Sequence, residues 1–186
     1  VGVDLTNKIY LYIGLDFTNT YSADTKLKLG GTKFVDGRNF KEGDSVTIEI
    51  AATTAGAPLP NPTTVTKEST ATEPLTGNSV AYEFGNIQYT LNDVGGAGGN
   101  KTFEYTVTES AYDMDGVAKD KHVYAVTVSV ADNNTGDLEI TEVTVDGVKV
   151  DVDLTNKIYL YNGLDFTNTY SAETKLKLGG TKFVDG

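Results

Sequence analysis

The 186-residue chain has no cysteine and no tryptophan, one histidine (His122) and one methionine (Met114). Without cysteine there is no disulfide, no thiolate metal site, no cysteine nucleophile and no thioester chemistry. Small exposed proteins with modest cores commonly rely on disulfide staples, and this one must do without them. Proline is scarce, and all four (Pro58, Pro60, Pro62, Pro74) fall in one stretch. Cationic side chains are outnumbered, 15 Lys and Arg against 26 Asp and Glu, for a formal charge of −11. Nucleic acid and anionic lipid both demand a basic footprint, so neither is expected as a partner. No apolar run approaches the roughly 18 residues that mark a membrane span, and no membrane insertion is expected of this segment. Val1 opens on no signal peptide, in keeping with a window cut from a longer array.

What the chain does have is a long repeat. Residues 1–37 recur as residues 150–186, an offset of 149, with three differences: Gly2/Asp151, Ile13/Asn162 and Asp24/Glu173. A period that long is a whole domain rather than a solenoid turn. A short polar joint, Ser22-Ala23-Asp24-Thr25, recurs as Ser171-Ala172-Glu173-Thr174. It divides the chain into the C-terminal strands of a preceding repeat (1–21), a complete domain (22–170) and the first strand of a following repeat (171–186).

Apolar residues alternate with period two through Ser45–Ala51, Val80–Thr90, Thr102–Glu109, Val123–Val130 and Leu138–Val145. Hairpin signals separate them: Asp36-Gly37, the glycine-rich Gly95–Asn100, Asp115-Gly116, Asn134-Thr135-Gly136 and Asp146-Gly147. Such patterning predicts an all-β, Ig-like sandwich. The Thr/Pro-rich stretch 58–74 reads as a surface insertion, at most an edge strand.

Parity exposes three polar residues on apolar faces. In Leu164–Tyr170 the even positions are apolar and Asn168 joins them; in Phe103–Glu109 the odd face carries Glu109. In Leu27–Val35 the odd face carries Leu27, Leu29, Val35 and Lys33, with Phe34 dissenting and a Gly30-Gly31 pair able to shift register. Singly, each has an ordinary explanation: Glu109 turning to solvent at a strand end, Asn168 hydrogen-bonding at an edge, Lys33 snorkelling. Three such exceptions in one domain, with the Lys in the first strand and the Asn in the last, favour a common cause. Burial lowers a Lys pKa and raises a Glu pKa. A neutral amine is a nucleophile, and a protonated carboxyl can donate to a carboxamide oxygen and pass protons to departing ammonia. The product, a Lys–Asn isopeptide bond, is neutral and tolerates burial, where a lone charge does not.

Several segments resemble the isopeptide-linkage domains of streptococcal pilins: Gly31-Thr32-Lys33-Phe34-Val35-Asp36-Gly37 continuing to Gly43, Phe84–Thr90, Phe103–Glu109, Tyr124–Val128, and Phe166-Thr167-Asn168-Thr169-Tyr170. They occur in order across residues 31–170. The resemblance implies a CnaB-like β-sandwich of Gram-positive surface proteins, with Lys33 as nucleophile, Asn168 as acceptor and Glu109 as the assisting acid. Ser45-Val46-Thr47-Ile48 stands where that family usually has a Phe-rich strand. By the repeat, Asn19 and Lys182 are the crosslink equivalents of neighbouring repeats, and within one chain both should stay unreacted.

The expected function is a structural stalk of a cell-wall-attached, extracellular adhesin or pilus-like fibre. Its partners would be adjacent repeats of the same polypeptide, with strand exchange between chains through 1–21 or 171–186 as a minority state. The reaction is self-modification, not enzymatic turnover, and needs no cofactor. The competing expectation is a ligand-binding adhesin domain that contacts a host glycan or matrix protein through its long loops. Near-identical copies favour the stalk. Other constellations have plainer readings. Asp132–Glu139 lacks the spacing of a twelve-residue calcium loop, and His122 lacks a partner ligand, so no metal is expected. Gly95–Gly99 is followed by no phosphate-binding helix start. Glu73-Pro74-Leu75-Thr76-Gly77 has the look of a wall-sorting signal but no apolar tail behind it. Several of the eleven tyrosines, Tyr105 and Tyr170 among them, fall on core parity and suit packing.

Overall fold

A computed structural model of the chain describes residues 16–173 and 176–185. The alternating segments become strands because each can bury one face only by packing against a second sheet. The strands are β1 (Asp24–Asp36), β2 (Ser45–Ala52), β3 (Thr64–Glu68), β4 (Ser79–Glu83), β5 (Ile87–Thr90), β6 (Asn100–Asp113) and β7 (Val117–Ala118). They continue with β8 (Val123–Asp132), β9 (Leu138–Val145), β10 (Val148–Lys149), β11 (Asp153–Thr155), β12 (Ile158–Tyr161) and β13 (Phe166–Tyr170). One sheet is antiparallel, in the order β10-β9-β8-β6-β2-β3. The other runs β11-β12-β1-β13-β7, with β4 and β5 also paired to β1. The all-β sandwich expected from the alternation is thus the observed architecture. Its core includes Leu27, Leu29, Val35, Tyr82, Ile87 and Phe166 from the mixed sheet. Val46, Ile48, Phe103, Tyr105, Val107 and Val128 meet them from the antiparallel sheet. Val46, Ile48 and Ile50 fill inward positions of β2 without a Phe-rich strand.

The long first strand organises the mixed sheet. Its first half pairs in parallel with β12 over Lys26–Leu29, and its second half with β13 over Lys33–Asp36. The change of partner falls at Gly30-Gly31. A side chain on Gly31 would run into the Leu164 backbone, and one on Gly30 into the Tyr82 carbonyl and the Asn162 side chain. Glycine therefore serves close backbone approach here and not a shift of register. The buried face passes unbroken from Leu27 and Leu29 to Lys33 and Val35, while Phe34 lies on the outer face.

The expected strand Val80–Thr90 is two strands. Opposite β1, Glu83 pairs with Gly30 and Ile87 with Leu27, so Phe84-Gly85-Asn86 oppose two residues. That is the count of a β-bulge, and buried Phe84 remains tied through its N–H to the Leu29 carbonyl. The proline-rich stretch supplies β3, which among the described residues is an edge strand paired with β2 alone. The polar joint at Ser22–Thr25 is partly structured: β1 begins at Asp24, and Ala23 and Thr25 are buried. Most of the 1–21 segment lies outside the described residues. Leu176, Leu178, Phe183 and Val184 are exposed and in no strand, although their repeat equivalents all belong to β1.

Candidate functional site: a buried Lys-Glu-Asn triad

Lys33, Glu109 and Asn168 meet in the core. Asn168 pairs across the ladder with Val35, two positions beyond Lys33, so both project inward from neighbouring parallel strands. Glu109 arrives from the opposite sheet at the last buried position of β6. The β2–β6 register shifts immediately after it, leaving Ser110 as the extra residue of a bulge. The bulge keeps Glu109 inward while the strand runs on to Asp113 along the surface. Glu109 is therefore no strand end. Exposure is 0 % for Lys33, 2 % for Glu109 and 0 % for Asn168.

The contacts are specific. Lys33 Nζ lies 2.8 Å from Glu109 Oε2, and neither atom has another hydrogen-bond partner among the described residues. Asn168 Nδ2 donates to Glu109 Oε1 at 2.8 Å. The Asn168 carboxamide oxygen accepts the backbone N–H of Asp120 at 2.6 Å. A backbone N–H can only donate, so this bond assigns Oδ1 to the Asp120 side and Nδ2 to the carboxylate. The structure therefore differs from the expectation that Glu109 would donate to the carboxamide oxygen: it faces the nitrogen instead.

Burial pushes the Lys33 ammonium below its ordinary value, against the opposing pull of the Glu109 carboxylate. An ammonium here must satisfy three donors with one contact. Desolvating an ion pair costs roughly several kcal/mol per ion, so the site favours any change that removes its charges.

Asp120 escapes sequence reasoning. The β6–β8 ladder ends at Thr108 and Val123, so beyond that pair the loop 119–122 takes over beside Glu109. Its conformation is held by the Asp120 carboxylate, which accepts the Thr167 N–H at 2.8 Å and the His122 N–H at 2.9 Å. A shallow cleft lined by Ser110, Lys119, Asp120 and His122 reaches Glu109 from the surface. No residue pattern could have marked Asp120, because its working group is a main-chain N–H.

Residues 29–171 match the family described as the Spy0128-like isopeptide containing domain. The chain belongs to this family. Among solved structures, this isopeptide domain is similar to the major pilin from Streptococcus pyogenes, with 18 % identity and a TM-score of 0.44, covering 82 % of this chain and 51 % of that one. The T-13 major pilin protein of the same species gives 17 %, 0.43, 82 % and 54 %. The pilus adhesin SpaC from Lactobacillus rhamnosus GG, in its open conformation, gives 16 %, 0.32, 83 % and 16 %. The chain thus spans about half the length of the major pilin chains it matches. No curated protein matches it.

Asn19 and Lys182 are exposed and in no strand, so neither is brought into the triad. The Asp132 carboxylate accepts the N–H groups of Gly98 and Asn134 and the Tyr21 hydroxyl, while Asn134 and Gly136 take the positive φ values of a tight turn. His122 bonds Asp146 at 2.9 Å and meets the Tyr124 ring. No helix among the described residues is long and apolar enough to cross a membrane.

Proposed function

We propose that the domain is a shaft repeat of an extracellular, cell-wall-attached pilus or adhesin of a Gram-positive bacterium. In this reading Lys33 and Asn168 become joined by an isopeptide bond. The observation that carries it is the enclosed contact chain from Lys33 Nζ through the Glu109 carboxylate to Asn168 Nδ2. Family membership and the near-identical recurrence of residues 1–37 at an offset of 149 support the fibre role.

The chemistry follows from the contacts. Lys33 gives a proton to Glu109 Oε2, which leaves a neutral amine and a carboxylic acid. The amine attacks Asn168 Cγ, forming the C–N bond, and charge gathers on Oδ1, where the Asp120 N–H already points. Such preorganised donors stabilise a developing oxyanion. Glu109 then takes a second proton from the attacking nitrogen as it delivers its first to Nδ2. The Cγ–Nδ2 bond breaks and ammonia leaves, past the cleft beside Ser110 and Lys119. The products are a secondary amide, ammonia and a neutral Glu109, with atoms and charge conserved. The triad acts once, so the domain is its own substrate and not an enzyme.

Intact-mass spectrometry tests the bond. The chain is expected to weigh one ammonia, about 17 Da, less than its sequence requires. Lys33→Ala, Glu109→Ala and Asn168→Ala are each expected at full mass. A wild-type chain of full mass would end this reading. Asp120 should matter through position alone. Asp120→Ala keeps the N–H but frees the loop that aims it, and about 10- to 100-fold slower bond formation is expected, the scale of a misplaced reacting group. The fraction of unlinked chain, followed by mass after a pulse of synthesis, measures it. A wild-type rate in Asp120→Ala would exclude the loop from the chemistry.

A further inference from the structure

The tripeptide Tyr21-Ser22-Ala23 is the repeat equivalent of Tyr170-Ser171-Ala172. The two copies make different contacts, and the two sets do not overlap. At the end of the domain, Tyr170 pairs with Val117 in the β13–β7 ladder. Its ring lies under the Arg38 guanidinium, 5.5 Å from carbon to centroid. A Cβ at Gly116 would press on the ring edge at 3.0 Å, and the Ser171 N–H donates to the Gly116 carbonyl at 3.0 Å. At the start of the domain, Tyr21 is 39 % exposed, but its hydroxyl is fixed. It donates to Asp132 Oδ1 at 2.6 Å and accepts the Gly136 N–H at 3.2 Å. Ala23 is buried, and its carbonyl accepts the Leu91 N–H at 3.0 Å.

In a tandem array these two copies are one tripeptide. Its tyrosine ring and serine N–H belong to the unit that is ending. Its hydroxyl and alanine belong to the unit that is beginning. Ser171 is the last residue held by the first unit, and Ala172, by its equivalence to Ala23, would be the first backbone held by the second, with no free residue between them.

We propose that successive units are joined without a flexible linker, by a Tyr-Ser-Ala splice seated in both. Tyr170 is clamped by Arg38 and Gly116 of its own unit and hydrogen-bonded by the Asp132 turn of the next. This rests on the tandem-shaft reading and adds a fixed angle between units. It also sets which loops face each other: 37–38 and 115–116 of one unit meet 91–98 and 132–136 of the next. The splice explains why two hairpin turns with no part in the triad, Asp115-Gly116 and Asn134-Thr135-Gly136, sit where they do. Each forms one half of a socket.

The test begins with the chain as it is. NMR relaxation is expected to give residues 21–23 the order parameter of a rigid backbone, about 0.85, and Tyr21→Phe is expected to drop Tyr21's neighbours Ser22 and Thr20 below about 0.6. Values already below that in the wild type would overturn the splice. The second arm continues the chain past Gly186 with another copy of residues 38–186, which yields two complete units. Both units are expected to share one tumbling time, and a four-residue Gly-Ser insert between Ser171 and Ala172 should give each its own. Independent tumbling without the insert would overturn the proposal. Intact mass on the same samples keeps the two readings apart. Two lost ammonias with independent tumbling refutes the splice alone, whereas full mass with shared tumbling refutes the crosslink and leaves the splice standing.

Discussion

Asn168→Ala is expected to lower the melting temperature by about 10–20 °C relative to the linked chain. The proposed crosslink would close a loop from position 33 to position 168, 135 residues further on. On the chain-entropy model a loop of that size contributes about 5 kcal/mol by restricting the unfolded state. At roughly 2–4 °C per kcal/mol for a chain of this length, the stated shift follows. The substitution leaves Lys33 and Glu109 their own 2.8 Å contact, so it removes the bond together with the Asn168 contacts to Glu109 and the Asp120 N–H, and the buried ion pair that remains adds to the loss. Glu109→Ala should fall further, by about 3–5 kcal/mol, since it also strands a buried ammonium. The pH dependence separates the two states of Lys33. As a free amine its folded pKa is depressed below 10.5 by burial, so between those values the unfolded chain holds more protons. Stability of Asn168→Ala therefore rises with pH through that window. The linked chain has no titrating amine at position 33 and shows no such rise. Calorimetry of both proteins across the alkaline range decides it: equal melting temperatures, or parallel pH profiles, would remove the crosslink from the account.

The parts of this site that were legible in the sequence are those written in side-chain alternation. Lys33, Glu109 and Asn168 betray themselves by parity, because a strand's period of two leaves a polar residue on the apolar face nowhere to go. The same rule recovers the core faces of β2, β6 and β8, whereas in β9 a register shift moves the buried face from Leu138 and Ile140 to Val143 and Val145. What it misses is set by backbone path. At the bulge of Phe84–Asn86 a Cβ on Gly85 would come within 3.2 Å of the Asn61 carbonyl, a close approach of distant segments that no local pattern carries. Gly30-Gly31 reads in isolation as a register change; only the crossing of Leu164 makes it a straight continuation. Asp120 is hidden for a third reason, since its contribution to the triad is a peptide N–H that any residue but proline would possess. The turn at Asp132 is rich in oxygen ligands by sequence, but its carboxylate is satisfied by two backbone N–H groups and a tyrosine hydroxyl.

Under tension, the linked chain is expected to show no unfolding step, whereas Asn168→Ala should lengthen by roughly 450–490 Å per unit at about 3.3–3.6 Å per residue. Force enters a unit at the N-terminal end of β1 and leaves at the C-terminal end of β13. These strands are parallel neighbours, registered Lys33 to Phe166 and Asp36 to Thr169. Pulling one from its start and the other from its end loads their ladder in shear, so its hydrogen bonds resist together rather than one after another. In Asn168→Ala that ladder is the direct restraint between the two anchors, backed by the pairings of β1 with β4, β5 and β12, and once these fail all 135 positions between the anchors can pay out. With Lys33 bonded to Asn168, load passes along β1 from Asp24 to Lys33, across the side-chain amide, and out through Thr169 and Tyr170. The residues of β1 on that path are already extended, so they hold almost no spare length. The bulk of the sandwich, including β2 through β12, is bypassed. Single-molecule pulling on the wild type and on Asn168→Ala measures the difference directly. A wild-type trace with steps of several hundred ångströms would mean that the load is not carried by a Lys33–Asn168 bond. A step-free trace from Asn168→Ala would mean that the shear ladder alone withstands the applied force. The bond and the ladder are thus separable contributions, with the ladder setting the force at which an unlinked unit yields and the bond deciding whether it can lengthen at all.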